Sequence, residues 1–244
     1  GESPPLVNNP ILFILISTFC FSQQTEEFKM VKNYYNQHRT MLNTEFKKKF
    51  DAEKIVSSES LDNILEAARL SASSLGLQPY RIIIVESPEM KHQLIPAFYN
   101  PVQISTCSHL IVIVSKSNIN NDYIGKYFTH ISETREVALE TLNPFRESIS
   151  KYIQHLQAEE ILIWADKQSY IVLGNLMFAA ALENVDTCPM EGFKQETIDE
   201  ILGLDPEQEK VAVTLALGYR SAEDEFQNLK KVRKPTDKIF KWKK

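Results

Sequence analysis

The sequence predicts an α+β fold, in which a sheet of few strands is wrapped by a larger number of helices. Two runs rich in β-branched residues, Arg81 to Val85 and His109 to Ser115, predict short buried strands. Lys210 to Tyr219 alternates large apolar residues with smaller ones, which fits a central strand. Helical patterns fill the long stretches between these strands, and this arrangement is typical of the α+β class.

The helix before the first strand is predicted from its capping residue and its apolar period. Ser58 is suited to cap this helix, and acidic residues follow it in the first turn, where the helix dipole favours them. Leu61, Ile64, Leu65 and Ala68 then fall at i, i+3, i+4 and i+7, which places them on one face. Further helical patterns cover residues 89–98, 198–202 and 121–157, the last broken near Asn143-Pro144.

Ile161 to Leu182 is the most apolar helical pattern in the chain. Its residues are apolar on nearly every side, and a helix of this kind needs cover all round. We therefore expect a central helix that also lies at a subunit interface. The polar residues from Asp166 to Ser169 interrupt the pattern too early for a membrane span.

Residues 1–29 differ in character from the rest and are predicted to lie outside the fold. The apolar run from Ile11 to Phe21 is too short for a bilayer helix, and no Lys or Arg precedes it. Met30 is a plausible natural start. The extension comes either from the gene model or expression engineering, or from an atypical secretion signal. Residues 30–244 are predicted to form a single domain, since no linker or internal repeat divides them.

Composition excludes several classes of protein. The net charge of −5 argues against a general nucleic-acid binder, which needs a basic face. The three cysteines, Cys20, Cys107 and Cys188, are widely spaced, so neither a disulfide framework nor a metal site is expected. A reducing compartment, the cytoplasm, is the simpler location, and Cys188 is expected to be a buried thiol rather than a reactive one.

Three separated segments offer the groups that a flavin nucleotide requires. Pro189-Met190-Glu191-Gly192 is predicted to be a turn that offers backbone N–H groups to an isoalloxazine ring. Lys231 and Arg233 offer charge to a phosphate, for which the planar fork of Arg is well suited. Ser73 to Tyr80 offers hydroxyls to the ribityl chain. Because glycine is scarce and no glycine-rich phosphate loop occurs, side chains or a helix N-terminus must hold the phosphate.

These motifs, in this order, resemble the nitroreductase family. The similarity runs from about Phe50 to Pro235 and so covers most of the chain. Its motifs are Leu65 to Arg81, Ser108 to Val112, Lys167-Gln168 with Gly174-Asn175, Pro189 to Phe193, Leu217 to Arg220 and Lys231 to Pro235.

The resemblance implies a nitroreductase-like α+β fold with a mostly antiparallel sheet. It further implies an intertwined homodimer with the flavins, FMN, at the subunit interface. The backbone of Glu191 and Gly192 would lie by flavin N5, and Lys48 by the O2/N1 end of the ring. Ser73, Ser74 and Gly76 would reach the FMN of the partner. The remaining implied FMN contacts are Asn100, Gln103, Pro189, Met190, Lys231 and Arg233.

One departure from the family pattern concerns the phosphate. The family opens with a motif like R-x-S-x-K-x-F-D, whose Arg binds the phosphate. In this chain Thr44 stands at the Arg position, or Glu45 if one gap is allowed. Arg39 or Lys47 can compensate; otherwise the loss of one charge-assisted contact costs about 1.5–3 kcal/mol, roughly a tenfold to hundredfold loss of FMN affinity.

The leading hypothesis is an enzyme that passes hydride from NADH or NADPH to FMN, then two electrons to a nitroaromatic or quinone. The donor leaves before the acceptor enters, so the cycle is ping-pong. Two alternatives stay open: a dihydropteridine or flavin reductase on the same scaffold, and a degenerate flavin-binding protein with little turnover. The sequence does not choose between NADH and NADPH.

Overall fold

Residues 49–230 and 232–243 are described in the computed structural model. The predictions for residues 1–29, Lys48 and Lys231 therefore lie outside the described residues. The described helices are α1 (Ser58–Arg69), α2 (Pro88–Leu94), α3 (Val102–Thr106), α4 (Asn121–Arg135), α5 (Asn143–Gln154), α6 (Ala158–Leu182), α7 (Gln195–Ile201) and α8 (Thr236–Ile239). The strands are β1 (Tyr80–Val85), β2 (His109–Lys116), β3 (Asp186–Met190) and β4 (Glu209–Gly218).

The described strands form one antiparallel sheet in the order β1-β2-β4-β3. The central strand β2 is buried from His109 to Ser115, because it has a neighbour on each edge and helices on each face. Its register with β1 pairs Tyr80 with Ser115 and Val85 with Leu110. The α+β class and the antiparallel sheet predicted from the sequence are confirmed.

Alternate residues of the sheet supply two cores. Ile111 and Ile113 point to a cluster that includes Val172 and Leu176 of α6 and Ile64 of α1. Leu110, Val112 and Val114 point to the opposite cluster, with Leu94 of α2, Ile104 of α3 and Ile198 of α7. This period of two follows from the alternating direction of side chains along a strand, and it leaves the sheet covered on both faces.

Helices α4 and α5 form a hairpin with a core of its own. Phe128, Ile149 and Trp164 are buried in that core together with Leu77, which precedes β1. Leu77 therefore ties the hairpin to the loop that joins α1 to β1.

Two local predictions need correction, those for Ser58 and for Pro189-Met190. Ser57, not Ser58, caps α1, since its Oγ accepts a hydrogen bond from the Ser60 amide at 3.2 Å. The break predicted near Asn143-Pro144 lies just before α5, and Pro144 stands in the first turn of that helix, where its missing N–H removes no helical bond. Pro189 and Met190 close strand β3 and are not part of a turn. β3 is an edge strand, which tolerates the missing N–H of proline.

Within residues 49–230 and 232–243, no helix combines the length and apolar character that a bilayer crossing requires.

Candidate functional site

The segment after β3 exposes two adjacent backbone donors. Glu191 and Gly192 are both exposed, and their amides donate no hydrogen bond within the described part of the chain. A methyl group built at Gly192 would have Tyr99 Cδ2 as its nearest neighbour, at 3.8 Å. The backbone here is therefore open to a flat ring, and its N–H groups are available to an acceptor atom.

A second segment is held directly beside this one. The Tyr99 amide donates to the Gly192 carbonyl at 3.0 Å, and the Lys194 amide donates to the Ala97 carbonyl at 2.7 Å. Phe98 and Phe193 form an isolated antiparallel bridge. Their rings pack edge to face, with the ring centroids 5.9 Å apart. This cross-connection places Tyr99 and the start of α3 next to Glu191-Gly192.

Gln103, on α3, carries a buried acceptor with no partner. The residue is 6% exposed, and its Oε1 accepts no hydrogen bond among the described residues. A buried polar atom without a partner costs about 1–3 kcal/mol, so its persistence calls for an explanation. A donor from a bound molecule, such as the N3–H of a flavin, would satisfy it. Asn100 lies nearby on the surface, and its Oδ1 accepts from the Val102 amide at 3.4 Å.

Tyr170 of α6 adds a phenol to the same region. Its hydroxyl lies close to the carboxylate of Glu191. Burial, and after it the charge and hydrogen bond of Glu191, raises the pKa of Tyr170 far above its usual range. The phenol beside Glu191 is therefore protonated at neutral pH.

The serine segment lies on the other side of α6. The Ser74 amide donates to Gln168 Oε1 at 2.8 Å, and the Gln168 Nε2 donates to the Trp164 carbonyl at 3.0 Å. Ser74 and Gly76 are exposed and Ser73 is half-buried, so the segment presents its polar groups outward. No described hydrogen bond joins it to Glu191-Gly192 within one chain.

Of the basic pair Lys231 and Arg233, only Arg233 lies within the described residues. Arg233 is exposed, and its Nη1 donates to the neighbouring Val232 carbonyl at 2.9 Å. Its partner Lys231 lies outside the described residues, as does Lys48. The structure therefore brings Asn100 and Gln103 together with the segment from Pro189 to Gly192. It leaves Ser73, Ser74, Gly76 and Arg233 as separate surface groups of the single chain.

The two described thiols are buried and inert. Burial raises the pKa of Cys107 to about 12 and that of Cys188 to about 11, so neither forms a thiolate at neutral pH. The buried thiol expected at Cys188 is confirmed. In the described ranges no His, Cys, Asp and Glu side chains gather in a group that could hold a metal ion.

Comparison with known proteins decides the family. A model of the nitroreductase family matches residues 46–219. The chain belongs to the nitroreductase family. A provisionally named NAD(P)H nitroreductase of Staphylococcus haemolyticus is 37% identical over 205 residues, which are 80% of this chain and 91% of that protein. A similar protein of Staphylococcus saprophyticus is 33% identical over 203 residues, again 80% of this chain and 91% of that protein.

Solved nitroreductase structures share the fold. A provisionally named NAD(P)H:FMN oxidoreductase of Staphylococcus epidermidis superposes with a TM-score of 0.75 at 26% identity, covering 84% of this chain and 95% of that one. A nitroreductase of Exiguobacterium sibiricum, solved in complex with FMN, gives 0.75 at 23% identity, covering 86% and 97%. The family predicted from the motifs is thus confirmed, whereas the role of each site residue stays a prediction.

The residues present fit an FMN molecule. Gln103 offers an unpartnered buried oxygen, Glu191 and Gly192 offer free amides, and the serines offer outward hydroxyls. Two residues of this region escaped the sequence analysis. Tyr99 immediately precedes Asn100, and Tyr170 stands two positions after Gln168. An aromatic residue close to each predicted motif was the feature of the sequence that could have indicated them.

Proposed function

We propose that this nitroreductase-family chain is an FMN-dependent NAD(P)H oxidoreductase that reduces a nitroaromatic or quinone acceptor. When bound, FMN supplies a ring that accepts hydride at N5 from NAD(P)H and passes two electrons to an acceptor. Donor and acceptor occupy the same space in turn, which makes the cycle ping-pong. No general acid from the protein is needed, because water can protonate the product.

The observation that carries this proposal is the buried, unpartnered oxygen of Gln103, on the helix that follows the segment hydrogen-bonded to Gly192. Apolar side chains would be expected at a position buried to this degree if no ligand were bound there. A flavin has a donor at N3 and an acceptor at N5, and it therefore matches both this oxygen and the free amides of Glu191 and Gly192. The segment just before α3 is hydrogen-bonded to Gly192 and Lys194, so the fold holds the start of α3 close to the segment with the two amides.

Each residue is given a role in holding the cofactor. Gln103 and Asn100 bind the pyrimidine edge of the ring, and the amides of Glu191 and Gly192 orient it. Lys48 stabilises the negative charge that develops at the O2/N1 end on reduction. Lys231 and Arg233 bind the phosphate. Pro189 and Met190 close β3 and fix where the Glu191-Gly192 backbone begins.

The test is an anaerobic reduction of the purified protein. The protein is mixed with FMN, separated from free flavin, and titrated with NADH and, separately, NADPH while absorbance near the flavin maximum is followed. Bleaching of protein-bound flavin, followed by recovery when a quinone or nitroaromatic is added, is the expected result. Bound flavin that does not bleach would support the degenerate flavin-binding alternative, and absence of bound flavin would reject the proposal outright. The other alternative, a dihydropteridine or flavin reductase, is distinguished from the proposal by comparing rates with a panel of acceptors that includes dihydropteridine and free flavin.

We also infer that the protein works as a homodimer. The exposed stripe of α6 contains Ile163, Lys167, Tyr170, Ile171 and Gly174, which recur at helical spacing on one face. A largely apolar exposed stripe, here interrupted by Lys167, is typical of a protein interface. Val232, Phe240 and Trp242 of the C-terminal tail are also highly exposed, at 87%, 61% and 91%.

The assembly is tested by molar mass in solution. Size-exclusion chromatography with light scattering should give twice the mass of the chain for the wild type. Ile171→Glu places a charge in the stripe and should shift the protein toward the monomer with loss of bound FMN. Ile55→Glu is the matched control, because Ile55 is exposed but stands before α1. A monomeric wild type that binds FMN would reject the dimer.

A further inference from the structure

The loop between α1 and β1 is held in a strained conformation. Leu75, Gly76 and Gln78 have φ angles of +60°, +72° and +42°. Leucine and glutamine rarely adopt such angles, because they are unfavourable for any residue with a side chain. Strained backbone of this kind persists only where neighbouring groups hold it in place. Hydrogen bonds to the loop should therefore show which groups do so.

Part of the restraint lies within the loop. The Gly76 amide donates to the Ser73 carbonyl at 3.0 Å, and the Gln78 amide donates to Ser73 Oγ at 2.9 Å. The Gln78 side chain turns back and donates from Nε2 to the Arg69 carbonyl at 3.0 Å. Since Ser73 Oγ accepts from Gln78, its own proton is free to be donated outward.

The remaining restraint comes from α4. Tyr123 Oη lies 2.9 Å from the Leu77 carbonyl and 2.9 Å from the Gln78 carbonyl, so one phenolic proton serves both acceptors. Burial raises the pKa of Tyr123 to about 12, which keeps this donor protonated at neutral pH. One turn later on α4, the Tyr127 hydroxyl lies against Gly76. Neither tyrosine belongs to the segments assigned to the flavin.

We propose that Tyr123 is a positioning residue for the cofactor: by bonding the Leu77 and Gln78 carbonyls it holds the loop so that Ser73, Ser74 and Gly76 face the FMN of the partner protomer. The proposal rests on the proposed function and extends it to α4. Ser74 and Gly76 are exposed on the outer side of the loop, and the Leu77 side chain is buried on the inner side. Release of the two carbonyls would let the strained residues relax and would turn the outer side away.

The expected effect on affinity follows from the fraction of molecules with the loop in place. If that fraction falls to ~0.1, the apparent Kd for FMN rises about tenfold, because the competent state alone binds. FMN held at saturation would restore the competent state. The kcat and the KM for NADH, measured at saturating FMN, should therefore stay within about twofold of the wild type.

The test compares Tyr123→Phe with the wild type and with Tyr152→Phe. Tyr152 is a matched control, because it lies on α5 of the same hairpin and is 46% exposed. Amide hydrogen exchange is measured first on protein freed of flavin. In Tyr123→Phe the amides of Gly76, Leu77 and Gln78 should exchange about tenfold faster, while those of β1 and β2 keep their protection. FMN Kd, from quenching of flavin fluorescence, should rise about tenfold in Tyr123→Phe alone.

The outcomes separate this proposal from the proposed function. A wild type that takes up no FMN rejects the proposed function, and this proposal falls with it. A wild type that binds FMN, with loop exchange and Kd unchanged in Tyr123→Phe, overturns this proposal alone. Faster exchange throughout α4 and the sheet would also overturn it, since Tyr123 would then serve general stability.

Discussion

The Tyr127 hydroxyl occupies the space that a side chain at position 76 would need. A methyl group built at Gly76 would overlap Tyr127 Oη and would lie 3.2 Å from Cζ of the same ring. The φ of Gly76, +72°, is independently unfavourable for any other residue. Two separate physical reasons therefore require glycine here: Tyr127 of α4 leaves no room for a Cβ, and the loop backbone has an angle that disfavours one.

Gly76→Ala should lower the free energy of unfolding by about 1–3 kcal/mol, from backbone strain and from displacement of Tyr127. Denaturant unfolding of the apoprotein measures this. Adding Tyr127→Leu to Gly76→Ala should recover part of the loss, since the overlap disappears and the strain at φ +72° remains. Gly125→Ala, on α4 with no atom near its built Cβ, should instead stabilise by up to about 1 kcal/mol. Equal losses at positions 76 and 125 would contradict this reading.

Gln103→Met should stabilise the flavin-free protein and weaken FMN binding. The change removes the unpartnered buried oxygen with little change in shape, which should raise the free energy of unfolding by about 1 kcal/mol. Loss of one ring contact should raise the FMN Kd by about tenfold. Thermal unfolding and a fluorescence titration measure the two effects.

Gln195→Met provides the control for that experiment. Gln195 Nε2 donates to Asp199 Oδ2 at 2.9 Å and to the Val211 carbonyl at 3.2 Å, so this glutamine is satisfied. Its replacement should destabilise by about 1–2 kcal/mol and leave FMN affinity unchanged. If Gln103→Met destabilises to the same extent, the oxygen of Gln103 is not the orphan that the flavin proposal needs.

Arg233→Gln should weaken FMN binding tenfold to a hundredfold, the loss of about 1.5–3 kcal/mol that one charge-assisted phosphate contact represents. Riboflavin, which lacks the phosphate, supplies the control ligand, and its affinity should not change. The converse substitution, Thr44→Arg, should raise FMN affinity by restoring the family's phosphate ligand. Unchanged affinity in Thr44→Arg would mean that another cation, such as Arg39 or Lys47, already fills the role. Equal losses for FMN and riboflavin in Arg233→Gln would place Arg233 away from the phosphate.

The strands predicted from the sequence are those with a strong local signal. Arg81 to Val85 and His109 to Ser115 are rich in β-branched residues, and both are strands in the structure. Strand β3 was not predicted, because Asp186 and Pro189 disfavour strands. Its formation depends on pairing with β4, a long-range contact that no local pattern encodes.

In the candidate site, too, some features have a local sequence signal and others depend on long-range contacts. Residues such as Glu191 and Gly192 were found through short motifs that retain their order along the chain. The unpartnered oxygen of Gln103 and the support from Tyr123 depend on burial and on contacts between residues up to 46 positions apart. Such features arise only when the chain folds, so sequence motifs could propose ligand contacts but could not reveal this orphan oxygen or the support from Tyr123.

The carboxylate of Glu209 should contribute to the free energy of unfolding, and this contribution should depend on pH in the acid range. From the start of β4 its carboxylate bonds Arg81 Nη2 on β1 at 2.6 Å and Lys116 Nζ on β2 at 2.9 Å, so it joins three strands. The hydrogen bond from Arg81, supported by Lys116, lowers the pKa of Glu209 from 4.5 to about 2. Because the unfolded chain binds the proton more tightly, this stabilisation is complete above pH 4.5 and is lost as the pH falls toward about 2.

Glu209→Gln should accordingly be less stable than the wild type at pH 7, by about 1 kcal/mol after allowance for the exposure of Arg81. The difference should shrink steadily below pH 4.5 and should nearly vanish near pH 2, where the wild-type carboxyl is itself losing its charge. Urea unfolding at a series of pH values measures it. Glu207→Gln, an exposed glutamate of the same segment, should differ little from the wild type at every pH. A gap between Glu209→Gln and the wild type that stays constant across the acid range would mean that the carboxylate stabilises the sheet by packing rather than by its charge.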